Sequence, residues 1–269
     1  KIETTWNGDF TSDLTYTISG NFGTLKNEVR DLYGQEYILG GQAEFRQRTQ
    51  VGEPLMSFYG YEVEGIYQNQ SEIESDPVAV DNGLVPGDFK FRDQNNDDVI
   101  DDDDKVFLGS YIPTLTYGGL IGLAYKNIEF SMNIMGQAGN KILNRKRGEI
   151  IWTNDTNFDK ELATNLWKGD GTSDRYPSAA GLRRGWNQNF SDYLVEDGSF
   201  FRIQNIQIAY NINGDKLFSG MPDARVFVTA EKPVTLFEYN GFNPEIPDGI
   251  DRQYYPVPAI YTIGLNLKF

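Results

Sequence analysis

The sequence contains no cysteine and no histidine. The first absence excludes a disulfide framework and thiol chemistry. The second removes the side chain that most often acts as general base or transition-metal ligand near neutral pH. Positive charge is scarce: 24 Lys and Arg stand against 39 Asp and Glu, a formal net charge of −15. That argues against nucleic acid as a partner, because neutralising phosphates takes Lys and Arg. Long apolar runs are missing as well. Mean hydropathy is −0.50, and no stretch approaches the roughly 18 apolar residues of a spanning helix. No secretory leader is visible and the chain begins at Lys1. Both are expected of a segment whose targeting information lies upstream.

Aromatic residues and glycine are abundant. Phe, Tyr and Trp make up 14% of the 269 residues, and there are 28 glycines. A transmembrane β-barrel uses aromatics for its interfacial girdles and averages out as polar, since only alternate side chains face lipid. The clearest pattern is at the C-terminal end. Tyr261, Ile263, Leu265, Leu267 and Phe269 alternate with Thr262, Gly264, Asn266 and Lys268. Period two puts the five apolar side chains on one face of a terminal strand. Periodicity alone fits either a soluble sandwich with this face in its core or a barrel with it towards lipid. The terminal aromatic resembles the assembly signal that closes bacterial outer-membrane barrels, and favours the second.

Further strands of this kind precede it. Leu115, Tyr117, Gly119, Ile121, Leu123 and Tyr125 alternate, Lys126-Asn127 turns the chain, and Ile128, Phe130, Met132 and Ile134 alternate in return. Two such runs with a two-residue turn make a hairpin. Leu14–Thr24, Ser199–Asn211 and Arg225–Pro233 are additional strand candidates, with Pro233 expected at a strand end where a missing donor is tolerated. Barrels have short periplasmic turns and long external loops. If the last strand descends to the periplasm, the stretches 26–113, 140–198 and 236–258 are all external, provided the first hides zero or two further spans. The expected fold class is therefore an all-β, antiparallel transmembrane β-barrel with long external loops. About seven spans cannot close a barrel around such loops, and a free edge is a liability. The first strands and any plug are expected upstream, with 1–269 forming a single C-terminal portion.

Several blocks resemble the C-terminal third of SusC-like TonB-dependent transporters. They are Val51-Gly52-Glu53-Pro54-Leu55-Met56-Ser57-Phe58-Tyr59-Gly60-Tyr61 with Gly65-Ile66-Tyr67; Pro86-Gly87-Asp88-Phe89-Lys90-Phe91 with Leu108-Gly109-Ser110; Val195-Glu196-Asp197-Gly198-Ser199-Phe200-Phe201-Arg202-Ile203; and Tyr239-Asn240-Gly241-Phe242-Asn243-Pro244-Glu245 with Tyr255-Pro256-Val257-Pro258. Each is weak alone, but their order and spacing extend across nearly the whole chain. Two positions depart from the family pattern. A Gly-x-Asn-Leu type segment is replaced by Ala230-Glu231-Lys232-Pro233, and Ala259 stands where Arg is common. The resemblance implies a 22-stranded barrel in the outer membrane of a Gram-negative bacterium. It further implies an upstream plug, energy supplied through TonB by a segment not present here, and a SusD-like lipoprotein over the barrel mouth. The cargo would be an oligosaccharide or, alternatively, an oligopeptide. A passive or structural barrel is the rival class.

One motif carries chemistry of its own. Residues 93–104 contain seven Asp and fit a twelve-residue EF-hand-type calcium loop. Asp93, Asn95, Asp97, Asp101 and Asp104 supply side-chain oxygens at loop positions 1, 3, 5, 9 and 12, and Val99 supplies a backbone carbonyl at position 7. Asp98 replaces the usual Gly at position 6, and position 12 is Asp rather than Glu. A bound Ca2+ would be structural and weak, roughly 10⁻⁴–10⁻³ M as in extracellular modules. The bland alternative is a solvated acidic loop.

Trp152, Trp167, Tyr176 and Trp186 fall in the longest external stretch, as candidate stacking platforms for cargo or as packing of the loop on the barrel rim. Phe158–Lys168 is spaced for a short helix with Leu162 and Leu166 on one face. Arg145, Lys146 and Arg147 form a basic cluster, by default solvated and otherwise a contact for lipopolysaccharide phosphates. A carboxylate-pair glycosidase would need a defined spacing and cleft. The sequence supplies neither, so no catalytic residues are assigned.

Overall fold

Strand formation follows the period-two segments. The computed structural model describes residues 1–42, 45–145, 147, 160–181, 185–252 and 254–268. Strands are numbered in chain order. Seven of them form one antiparallel sheet: β1 (Ile2–Thr11), β2 (Leu14–Thr24), β9 (Leu115–Tyr125), β10 (Ile128–Ala138), β13 (Phe200–Ile212), β14 (Asp223–Phe237) and β16 (Ile260–Lys268), neighbours in that order. β1 is the strand that the alternation does not announce, because Thr4 and Gly8 dilute the apolar face carried by Trp6 and Phe10.

The pairing register sorts the sheet into rows that are apolar on one face and mixed, with most of the polar groups, on the other. One row runs Trp6, Ile18, Ile121, Met132, Ile206, Ala230, Tyr261 across all seven strands. The next on the same face runs Gly8, Tyr16, Leu123, Phe130, Ile208, Val228, Ile263. On the opposite face a row runs Asn7, Thr17, Gly122, Ser131, Gln207, Thr229, Thr262, and another runs Asp9, Thr15, Ala124, Glu129, Ala209, Phe227, Gly264. A sandwich would cover the apolar face. Here Tyr261, Ile263, Leu265 and Leu267 are 71%, 80%, 59% and 50% exposed, as lipid-facing side chains of a barrel wall are. Phe269 lies outside the described residues.

Polar side chains knit the lumen face. Arg225 Nη2 donates to Glu129 Oε2 at 2.9 Å and to Gln207 Oε1 at 2.9 Å, while Asn211 Nδ2 donates to Glu129 Oε1 at 2.7 Å. Glycines make room for rings. At Gly264 a Cβ would strike the Phe227 ring, and at Gly136 it would strike the Tyr117 ring, whose hydroxyl donates to the Phe200 carbonyl at 3.3 Å.

Pro233 is not at a strand end, as expected from sequence, but inside β14. Asn205 pairs with Glu231 and Ile203 with Val234, so Lys232 and Pro233 form a bulge that asks no ladder hydrogen bond of the proline. Lys232 adopts φ 48 there, a left-handed conformation that Asn tolerates better than Lys. This is the site of the departure from the family pattern, at the position where the pattern has Asn.

The connections at one end of the sheet are short, with Lys126-Asn127 between β9 and β10; those at the other end are long. The stretch between β2 and β9 adds no strand to the wall. It holds a four-stranded sheet of β3 (Tyr37–Gln42), β4 (Phe45–Gln50), β5 (Ser57–Gly60) and β8 (Val106–Gly109), and a two-stranded one of β6 (Val63–Ile66) and β7 (Phe89–Phe91). Between these lie helices α1 (Gln70–Ser75), N-capped by Asn69, and α2 (Pro77–Asp81), N-capped by Asp76 with Pro77 in its first turn. Both caps satisfy otherwise orphaned N–H groups. A third small sheet joins the other two external loops: β11 (Lys141–Asn144) pairs with β12 (Val195–Asp197) and, in parallel, with β15 (Ile250–Asp251). The main apolar core sits in this loop layer, built from Tyr61, Ile66, Phe89, Phe91, Leu162, Leu166, Tyr176, Tyr193 and Leu194. A wall with lipid on one side and lumen on the other has little interior of its own.

Candidate functional site

The acidic loop is held by hydrogen bonds between its own side chains and backbone. Asp93 Oδ1 accepts from the N–H of Asn96 at 2.6 Å and its Oδ2 from Asp98 at 2.8 Å. Asn95 Oδ1 accepts from Asp97 N–H at 3.0 Å, and Asp97 Oδ1 from Val99 N–H at 2.9 Å. Asn96 and Asp98 are left-handed, at φ 60 and 62, so Asp98 takes up the turn where glycine is usual. Asp104, fully buried, closes the loop by accepting from Gln94 N–H and Asp101 N–H, each at 2.8 Å. Burial works against the Asp93 charge, but the N–H donors of Asp98, Asn96 and Asp97 outweigh it and hold the carboxyl below the ordinary carboxylate range. Among the described residues no three acidic side chains are gathered to metal-ligand spacing. The loop carboxylates of Asp93, Asp97 and Asp104 are thus engaged with backbone N–H groups. Burial, and then the field of Asp102, Asp104 and Asp101, pushes the neighbouring Tyr61 hydroxyl up to about 12.

A second polar centre ties the external loops together. Arg147 is 4% exposed, and its Nε lies 3.2 Å from Glu196 Oε1 and its Nη2 3.2 Å from Glu161 Oε1. Glu196 also accepts from Asn144 Nδ2 at 2.7 Å and from Asn240 N–H at 2.7 Å. The guanidinium lies beside the rings of Tyr176 and Tyr193, 5.7 and 5.5 Å from their centroids. Although burial opposes the charge, Glu196 leads the neighbours that raise the Arg147 pKa above its usual value. Close by, Tyr239 donates to Asp251, and its hydroxyl pKa is raised by burial and by that bond. The expected surface basic cluster is corrected at this point: Arg147 is an interior ion-pair partner, and Lys146 lies outside the described residues.

The aromatic candidates are built into the same layer. Tyr176 is buried and its hydroxyl donates to Glu161. Trp167 is partly buried and donates from Nε1 to Gln68 Oε1 at 3.1 Å; Trp186 donates to the Phe89 carbonyl at 2.8 Å and packs on Phe91. Their visible work is packing. Trp152 lies outside the described residues. The short helix is observed as Lys160–Asn165 with Leu162 buried; Phe158 is outside the described residues. The ligating atoms of the Arg147 centre escaped the sequence reading, since nothing in the spacing of Asn144, Glu161, Glu196 and Asn240 pairs them.

No family model matches the chain. A TonB-dependent receptor, P26, of Formosa agariphila is 30% identical over 97% of the chain, and receptor P3 of the same organism 28% over 96%. The TonB-dependent receptor SusC of Bacteroides thetaiotaomicron is 26% identical over 97%. The chain is SusC-like. It spans about a quarter of the length of these relatives, 27%, 27% and 25%. The RagAB peptide importer in its open-open state shares the fold, with a TM-score of 0.78 over 99% of this chain and 28% of that one, at 22% identity. The SusC-like sequence blocks meet in space. Arg202, 1% exposed, donates to Thr235 Oγ1 at 3.0 Å and pairs with Glu245. Glu196 of one block holds the Asn240 backbone of another, and Phe89 N–H donates to Asn187 Oδ1 at 2.8 Å.

Proposed function

We propose that this SusC-like chain supplies wall strands and external loops to an outer-membrane importer for a nutrient too large for porins, energised through TonB. The observation that carries the reading is the row pattern of the sheet, apolar across one face and holding most of the polar groups on the other, together with likeness to TonB-dependent receptors over nearly the whole chain. The chain carries out transport and no covalent chemistry. A SusD-like lipoprotein closes over the loop layer, and TonB engages a segment upstream. The cargo is an oligosaccharide. The lumen rows offer mainly amide and hydroxyl groups, such as Asn7, Thr17, Ser131, Gln207, Thr229 and Thr262, a neutral surface suited to a hydroxyl-rich polymer. One observation favours an oligopeptide: the similar structure is named a peptide importer. Binding of labelled oligosaccharides and oligopeptides to the intact complex separates the two. Saturable peptide binding with no glycan binding would replace the first cargo class by the second.

The acidic loop binds a structural Ca2+ through Asp93, Asn95, Asp97, the Val99 carbonyl, Asp101 and Asp104. The ion would neutralise part of a seven-Asp segment and let the carboxylates turn from N–H donors to metal. Calorimetric titration of the intact protein and of the Asp93→Ala and Asp97→Ala variants tests this; equal calcium heats in all three rule the site out.

A further inference from the structure

The connection between β13 and β14 departs from the other short-side turns. It spans residues 213–222, against the two-residue turn between β9 and β10. It is ordered by its own hydrogen bonds. Leu217 and Phe218 N–H donate to the Gly214 carbonyl at 2.9 and 3.0 Å, Met221 N–H to the Phe218 carbonyl at 3.0 Å, and Gly214 N–H to Asp223 Oδ1 at 2.9 Å. Lys216 N–H is capped by Asn213 Oδ1 and Gly220 N–H by Asp215 Oδ1, each at 3.1 Å. On this fixed frame Leu217, Phe218 and Met221 are 58%, 74% and 38% exposed. A solvated turn of ten residues gains nothing from three exposed apolar side chains.

We propose that this turn is a membrane-interface anchor, with Leu217, Phe218 and Met221 seated in the phospholipid headgroup layer on the periplasmic side. The established lipid face of the sheet leads to it. The last apolar row that runs from β2 to β16 is Leu14, Tyr125, Ile128, Tyr210, Val226, Leu265, and beyond it Ile212, Ala224 and Leu267 continue the same face towards the turn. Tyr125 and Tyr210 stand exposed in it, as the aromatics of a barrel girdle do. Tyr210, Ile212, Ala224 and Val226 belong to β13 and β14 themselves, so the turn continues from the lipid face. The lumen offers the opposite chemistry at this level. Glu129, Arg225, Asn211 and Gln207 form a closed polar network, against which an apolar tip would strand charged groups. The interface layer accepts both the aromatic ring and the flanking charges of Asp215 and Lys216.

The absence of cysteine makes site-directed spin labelling direct in this region. The intact transporter, with cysteines elsewhere in the polypeptide replaced, is placed in phosphatidylethanolamine–phosphatidylglycerol nanodiscs with single labels at Phe218→Cys, Leu217→Cys and Asp215→Cys. Leu265→Cys serves as the lipid-facing reference. Labels at 217 and 218 are expected to collide more with oxygen than with a polar nickel reagent, as at 265, while 215 shows the reverse. Collision with nickel at 218 as frequent as at 215 places the tip in water and overturns the proposal. Shielding of 218 from both reagents places it against protein and overturns it equally. Retention of the heat-resistant folded form on gels confirms that the barrel has assembled in each variant.

Discussion

Replacing Arg147 by methionine should release the external loops while leaving the wall intact. The guanidinium sits between Glu161 and Glu196, and Glu196 is 8% exposed. Removing one partner of a buried pair costs about 3–5 kcal/mol, because the other charge is left uncompensated. Glu196 keeps two donors, Asn144 Nδ2 and the Asn240 N–H, so the lower end of that range applies. At about 1.4 kcal/mol per tenfold, the opening equilibrium of the layer should rise on the order of a hundredfold. Global unfolding is the wrong readout, because a barrel with a separate loop layer does not melt in one step. Hydrogen exchange is the right one, followed at the Asn240 and Leu143 amides, both bonded inside this layer, with the β10 amides as an internal standard. The double variant Arg147→Met, Glu196→Gln should recover about 1–3 kcal/mol, since the two sites share one interaction. Exchange at Asn240 within about threefold of the parent, under 1 kcal/mol, would show that the pair does not hold the loops and would refute this reasoning.

Three further outcomes are expected. Gly264→Val puts a branched side chain into the Phe227 ring and should prevent β16 from docking on β14, read as loss of the heat-resistant folded form on gels; normal folding yield would contradict the close approach. Lys232→Asn should stabilise the bulge by about 0.5–1 kcal/mol, as the left-handed residue becomes one that tolerates it; a lower temperature of loss of the folded form would count against it. Burial, the largest influence, raises the Asp192 pKa, though Val63 N–H partly opposes it. A folded pKa above the unfolded one means that its contribution to stability is fully present below the unfolded value of about 3.9 and is lost as pH rises through the folded value. The loop layer should therefore lose protection as pH rises from the unfolded value of about 3.9 through the raised folded one. Asp192→Asn should reduce that loss while keeping an acceptor for Val63; an identical pH profile would remove Asp192 as its source.

Much of the wall was legible because the rows of its lipid-facing side repeat one chemical choice. The alternation in β9, β10 and β16 gave strand, face and turn together. β1 was illegible because Gly8, left small beneath the Tyr16 ring, breaks the apolar stripe. The bulge at Lys232 was hidden because the register shift is set by neighbours across the sheet, not by its own spacing. The acidic loop stood out in the sequence as seven Asp within twelve residues, and its hydrogen bonds are local. The Arg147 centre was not, since its members are scattered along one long external loop and Asn240 comes from another. The tryptophans were visible as residues, but only packing shows that Trp167 and Trp186 spend their N–H groups inside the layer.

The most direct test of the account is uptake by cells that carry the complete gene. Labelled oligosaccharide uptake is measured in the parent strain, in a strain lacking the gene, and in one lacking TonB. The account expects uptake in the parent alone. Uptake that survives loss of TonB would leave a passive barrel, and uptake of both glycan and peptide that survives loss of the gene would contradict the importer itself.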